Sequence, residues 1–195
     1  MARDRRYYQC SFCHSILLDP DDYISLQEEK QRYETHNNDV HDPRYQQFVS
    51  PIVDQVLGHH TPSQRGLDYG AGTGPVITKL LRDQQYTIHT YDPFFDDDRQ
   101  LLNSTYDYIV CCEVMEHFHQ PFQEFQRLHQ LLNPGGSLYC MTQLYEEGID
   151  FQAWNYKNDE THVIFYHPGA MKWIARQTGF TETSLVDNQL IVLKR

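Results

Sequence analysis

The chain contains no apolar run of the roughly 20 residues that a membrane-spanning helix needs. The opening MARDRRYYQC is basic, but no apolar stretch follows it, so a secretory leader is not expected. A disulfide framework is also missing: there are five cysteines, an odd number, and Cys111 and Cys112 lie inside an apolar run. Reduced cysteines in a cytoplasmic protein are the simplest expectation. Positive charge is scarce, with 16 Lys and Arg against 27 Asp and Glu, a formal net charge of −11. A surface this acidic repels phosphate backbones and disfavours nucleic acid relative to a small-molecule partner. Internal repeats and low-complexity tracts are absent as well. What is present is 195 residues, 39% hydrophobic and 13% aromatic, enough for one sizeable domain and a short appendage.

From residue 65 the pattern alternates between strand and helix. RGLDY (65–69), YTIHTYD (86–92) and YDYIVCCE (106–113) read as strands, and PVITKLLRDQ (75–84) and 121–132 as helices. NPGG (133–136) reads as a turn before a strand at 137–143, and Pro168 opens a helix that Gly179 stops. The final TETSLVDNQLIVLKR reads as two strands joined at Asp187-Asn188. This order predicts an α/β fold, a doubly wound, mostly parallel sheet closed at one edge by an antiparallel hairpin. Upstream, residues 1–24 show little period. Residues 25–37 read as a polar helix with a Ser25/Glu28 capping box, and 43–58 as a helix that Pro51 can interrupt and Gly58 ends. The expected division is a cysteine-containing cap segment and helix, 1–42, and a main domain, 43–195.

GLDYGAGTGP (66–75) falls between a strand and a helix, where open α/β sheets bind ligands. The helix start offers free N–H groups and a positive dipole end to an anionic group. Asp92 closes the next strand 18 residues past Gly74, where a carboxylate can accept ribose hydroxyls. The spacing is Gly-x-Gly-x-Gly, not the Gly-x-Gly-x-x-Gly of dinucleotide sites, and no Walker lysine follows. LDYGAGTG with YDPF resembles the S-adenosylmethionine (SAM) site of class I methyltransferases, a Rossmann-like family. The resemblance runs across roughly residues 50–195, through YDYIVCCEVMEHF and LLNPGGSL. It implies that Asp68, Gly70, Ala71, Gly72 and Gly74 line the methionine region of SAM, that Asp92 and Pro93 line the ribose region, and that Glu113 also touches the cofactor. Only residues 96–105 separate YDPFF from YDYIV, too few for the helix and third strand of the usual plan. The third strand is therefore expected to be reduced or missing.

EVMEHF sets Glu113, Glu116 and His117 at i, i+3 and i+4, one face of a helical turn if a helix follows the strand. THVIFYHP adds His162. Two carboxylates and two imidazoles can hold a divalent cation and leave positions open for substrate oxygens. Glu-x-x-Glu-His with a later His resembles ubiquinone-biosynthesis O-methyltransferases and small-RNA terminal 2′-O-methyltransferases. That likeness implies Mg²⁺ or Zn²⁺ at Glu113, Glu116, His117 and His162, and the acidic balance makes the RNA group the poorer guide. The metal-free alternative stays open: Glu116 caps a helix, His117 packs or orients substrate, and His117 or His162 is a general base, with Glu113 beside them.

Cys10 and Cys13 form a single Cys-x-x-Cys, whereas structural zinc needs four ligands. His14, His36 and His41 are near in sequence at no standard finger spacing. With EEKQRYETHNN, YDPFF, EVMEHF and THV, the segment resembles half of a zinc ribbon that precedes a bacterial family of SAM-dependent methyltransferases. Zinc lost, zinc shared between chains and zinc completed by a histidine all remain open. Tyr33, His36 and Asn37 share a helix face that can serve as a lid or simply pack one tyrosine; Trp154, Tyr156 and Phe165 can wall a pocket or form core. The resulting expectation is a SAM-dependent methyltransferase acting on oxygen of a small molecule. An N-methyltransferase and a SAM-binding protein without turnover are the alternatives.

Overall fold

The computed structural model describes residues 5–35 and 38–195. Six strands form the main sheet in the order β4-β3-β5-β6-β9-β8: β3 (Arg65–Tyr69), β4 (Thr87–Tyr91), β5 (Tyr106–Cys112), β6 (Leu132–Met141), β8 (Glu182–Leu185) and β9 (Leu190–Lys194). The β4-β3, β3-β5 and β5-β6 pairs are parallel, while β9 runs antiparallel to both β6 and β8. The fold is the doubly wound α/β sheet with a carboxyl-terminal hairpin that the alternating pattern predicts. No third strand fills the stretch from β4 to β5 among the described residues; an Asp92–Asp96 bridge and a 3-10 turn at Arg99–Asn103 stand there instead.

Alternation along β5 shows how the layers are held. Ile109 and Cys111 join one core with Phe125, Leu128 and Leu131 of α4 (Pro121–Leu131) and Met171 and Ile174 of α5 (Pro168–Thr178). Tyr108 and Val110 face the other core, with Ile52 and Val56 of α2 (Pro43–His59) and Ile77 and Leu81 of α3 (Val76–Asp83). Successive strand side chains point to opposite faces, so both faces of β5 are covered. Each such aliphatic burial contributes about 1.5–3 kcal/mol.

Three local readings of the sequence are corrected. Pro51 does not interrupt α2: the N–H that proline lacks is replaced at the Gln47 carbonyl by the Ser50 hydroxyl at 3.0 Å. Nor does Gly58 end that helix, which runs on to His59. NPGG is not a turn ahead of a strand but an irregularity inside β6: Tyr106 pairs with Leu132 and Tyr108 already with Ser137. Asn133 donates to Asp107 at 2.9 Å across that gap, and Gly135 takes the left-handed φ of 79°.

The aperiodic start holds a hairpin, β1 (Tyr7–Gln9) with β2 (Ile16–Leu18), and β2 continues onto β7 (Ile164–Phe165) in a three-stranded antiparallel sheet. Three-residue strands are too short to show alternation in sequence. Next comes α1 (Leu26–Glu34), opened by the reciprocal Ser25/Glu28 capping box. His36 and Asn37 lie outside the described residues, and the lid face is therefore described only at Tyr33. Among the described residues no helix is long and apolar enough to cross a membrane.

Candidate active site

The glycine loop leaves the carboxyl end of β3 with Gly70 at φ 82° and Gly72 at φ 62°, a region that favours residues without Cβ. The N–H groups of Gly70 and Ala71 donate to the Tyr91 carbonyl at 2.8 and 3.2 Å, tying the loop to β4. A Cβ on Gly72 would meet nothing within 4 Å, so its main chain faces open space. A Cβ on Gly74 would stand 1.8 Å from the Asn38 carbonyl, because the α1–α2 connection crosses directly over it. Asp68 is buried below the loop and accepts from the Thr78 hydroxyl at 2.7 Å, joining β3 to the first turn of α3. Burial pushes its carboxyl up to about 6, against the pull of that hydrogen bond.

Asp92 is buried at the end of β4. One oxygen accepts from Gly72 N–H at 2.9 Å, and the other from the N–H groups of Phe94 and Phe95 at 2.8 and 3.1 Å. Three of roughly four acceptor directions of the carboxylate are engaged. A ribose would share Asp92 with the loop it fastens.

On the opposite wall the chain after β5 makes a 3-10 turn at Met115–His117 rather than an α-helix, and Glu113 sits ahead of it at φ 52°. Glu113, Glu116 and His117 are therefore not three residues of one helix face. Glu116 is fully buried; Oε1 accepts from Tyr156 Oη at 2.5 Å, and Oε2 has no hydrogen-bond partner among the described residues. His117 Nδ1 donates to the Thr161 carbonyl at 3.0 Å, and His162 Nδ1 to the Tyr156 carbonyl at 2.8 Å. Ligand atoms of Glu116, His117 and His162 lie within 4.8 Å of one another, a grouping that suits a divalent cation. Burial lowers the His162 imidazole, which keeps it neutral near pH 7. Glu113 stays outside this cluster. Burial and the neighbouring Glu116 push its carboxyl up to about 9, and its Oε1 is buried without a hydrogen-bond partner among the described residues. Its Oε2 lies 3.2 Å from the Tyr156 hydroxyl, which also meets Thr142 Oγ1 at 2.9 Å.

Both walls belong to one cleft of about 970 Å³. It brings together Asp68, Gly70, Ala71, Gly72, Gly74, Asp92, Pro93, Glu113, Glu116, His117 and His162. Cys10 and Cys13 are elsewhere, at the turn of the β1–β2 hairpin, and no third ligand joins them among the described residues. Hydrogen bonds from the main chain at Cys13 and Phe12 lower the Cys10 thiol. Sequence reasoning missed Glu29, Arg32 and Asp159, which also line the cleft, and the hydroxyl of Tyr156. A tyrosine at a distant loop position carries no local signal for such a contact. Tyr33 does cover the site: its ring stands 5.3 Å from that of His117, and its hydroxyl donates to Glu29 at 2.7 Å. Of the three proposed wall aromatics Tyr156 lines the cleft, while Phe165 is core behind it.

A family model described as a methyltransferase domain matches residues 41–185. The chain belongs to that family. No curated protein matches the chain. Solved structures of similar fold include a 1,6-didemethyltoxoflavin-N1-methyltransferase of Burkholderia thailandensis with bound 1,6-didemethyltoxoflavin and S-adenosylhomocysteine. Its TM-score is 0.61 at 13% identity, over 98% of each chain. A SAM-dependent methyltransferase of Archaeoglobus fulgidus gives TM-score 0.61 at 13% identity, over 88% of this chain and 100% of that one. An O-methyltransferase family protein of Burkholderia thailandensis gives 0.57 at 14%, over 86% of this chain. This chain spans 62% of the length of that last protein. At such identities the likeness is one of fold, and this methyltransferase domain has the Rossmann-like class I architecture.

Proposed function

We propose that the chain is a SAM-dependent methyltransferase whose acceptor is a small molecule, methylated on oxygen with the help of a divalent cation. The observation that carries this reading is the continuity of one cleft from the open main chain at Gly72 to the cluster of Glu116, His117 and His162. The start of α3, which has no side-chain cap, favours the carboxylate of a bound SAM. SAM supplies an electrophilic methyl group on a sulfonium. The acidic lining, including Glu29, Asp92, Glu116 and Asp159, favours that positive charge. Both arginines of the lining are already ion-paired, Arg32 with Asp159 at 2.7 Å and Arg127 with Glu124 at 2.9 Å. An acceptor without phosphate or carboxylate suits this wall best.

The residues present fit a cation. Glu116 Oε2 is a buried oxygen with no hydrogen-bond partner among the described residues, and each histidine is held through Nδ1, leaving Nε2 as its ligand nitrogen. Bound there, Mg²⁺ or Zn²⁺ would lower the pKa of an acceptor hydroxyl. Without one, the free imidazole nitrogens are the bases. N-methylation is the second reading, favoured by the full-length likeness to the toxoflavin N1-methyltransferase.

Calorimetric titration of SAM into chelator-treated protein, repeated with Mg²⁺ and with Zn²⁺, tests the proposal, with Asp92→Ala as control. Micromolar binding that weakens in the variant supports the cofactor site, and cation-dependent heat supports the metal-assisted reading. No SAM binding under any condition would sink both and leave a domain without turnover.

A further inference from the structure

Both histidines of the cleft direct Nδ1 to a main-chain carbonyl. A carbonyl oxygen only accepts, so each ring carries its proton on Nδ1 and leaves the Nε2 lone pair free. His117 Nε2 stands 4.0 Å from Glu116 Oε1. The two carbonyls, those of Tyr156 and Thr161, end one short loop, residues 156–161.

That loop is fastened from its far side by the amino-terminal segment. Asp159 is the hub. Its Oδ1 accepts from the N–H and the hydroxyl of Thr161 at 3.1 and 2.6 Å, and its Oδ2 from Arg32 Nη2 at 2.7 Å. Arg5 donates to the carbonyls of Asp159 and Lys157 at 3.1 and 2.8 Å. The ion pair with Arg32 and the two bonds from Thr161 engage both oxygens of the Asp159 carboxylate. These contacts join residues more than a hundred positions apart in sequence.

We propose that Arg5 and Arg32, through Asp159, fix the 156–161 loop and thereby the tautomer of both His117 and His162. All three are positioning residues; they act through two carbonyls on the nitrogens that face the chemistry. The cap is thus part of the site's machinery, because it decides which nitrogen of each ring can take a proton or hold a cation. Only the use of those nitrogens rests on the methyltransferase reading; the tautomers rest on geometry.

The test is a two-bond proton–nitrogen correlation spectrum of the full chain with isotope-labelled histidine, at about pH 8, above the ordinary imidazole range. His117→Gln and His162→Gln assign the signals. The expected result is Nδ1–H for both rings in the wild type. In Arg5→Ala/Arg32→Ala at least one ring should move to a mixture containing Nε2–H, and Arg5→Lys/Arg32→Lys should restore most of the Nδ1–H form. Either ring as Nε2–H in the wild type overturns the proposal, and so do unchanged tautomers in the double alanine variant. Should that variant not fold, Asp159→Asn weakens the same tie from the loop side, and unchanged tautomers there overturn it equally. SAM titration of the same wild-type sample separates the two readings: absent binding sinks methyl transfer and leaves the tautomers to the spectrum.

Discussion

The two walls of the cleft are built on different plans. The glycine-loop wall is made by main chain within one contiguous stretch, and its hydrogen bonds run from amides of Gly70, Ala71 and Gly72 to Tyr91 and Asp92. The histidine wall is made by side chains drawn from four separate segments: α1, residues 113–117, Thr142 and the 156–162 loop. A wall of main chain tolerates any side chain that does not add bulk, whereas a wall of side chains depends on each atom having its partner.

The largest expected effect breaks the first wall. Gly72→Val adds a branched side chain at positive φ, a strain of at least about 1–2 kcal/mol, and fills the open space above the loop. SAM affinity, measured by calorimetry, should fall by about 100-fold or more, which is about 3 kcal/mol. Next, Asp92→Ala strands three main-chain N–H groups, each bond to a charged acceptor contributing about 1.5–3 kcal/mol. Thermal unfolding should shift downward as SAM affinity drops. The opposite wall is broken by Tyr156→Phe, which leaves Glu116 with no hydroxyl donor at Oε1. Cation affinity should fall by about 10–100-fold while SAM affinity stays put; a parallel loss of both would erase the distinction between the walls.

A separate effect, on stability and not on binding, appears with pH. Asp68 has its carboxyl raised to about 6 from 3.8, so the native state holds a proton that the unfolded chain has released. Stability contributed by this group is therefore present at low pH and lost as pH rises from about 4 to 6, in all about 3 kcal/mol. In denaturant titrations Asp68→Asn should be more stable than the wild type at about pH 8 and nearly equal to it at about pH 4. The smallest effect belongs outside both walls: Cys10→Ser should change SAM binding and stability within about 0.5 kcal/mol.

The same contrast explains what could be read from sequence. Main-chain structure follows local pattern, so the strand at 65–69, the helix from Pro168 and the glycine loop were visible in the residues themselves. Even the absent third strand showed, as a connection too short to hold one. Pro51 misled because the compensating donor, Ser50, is a tertiary detail of one turn. NPGG misled because turn residues also serve bulges, and only Asn133 reaching Asp107 decides between them. The four candidate ligands were legible as residue types, but the 3-10 turn set Glu113 apart from Glu116 and His117. The hydroxyl contact of Tyr156 and the pairing of Asp159 with Arg32 had no sequence signal, since they arise from contacts between residues far apart in the chain.

The missing strand carries a consequence for how such a sheet can be trimmed. A terminal strand is bonded along one flank, so deleting it sacrifices a single ladder, whereas deleting β3 would sever two. The fold can thus shed a whole strand-and-helix unit at β4's outer side without disturbing the glycine loop one strand inward. What remains is a border of only five residues, abutted by the Arg99–Asn103 turn. A border partly covered by that turn offers less open template for a neighbouring chain to pair with.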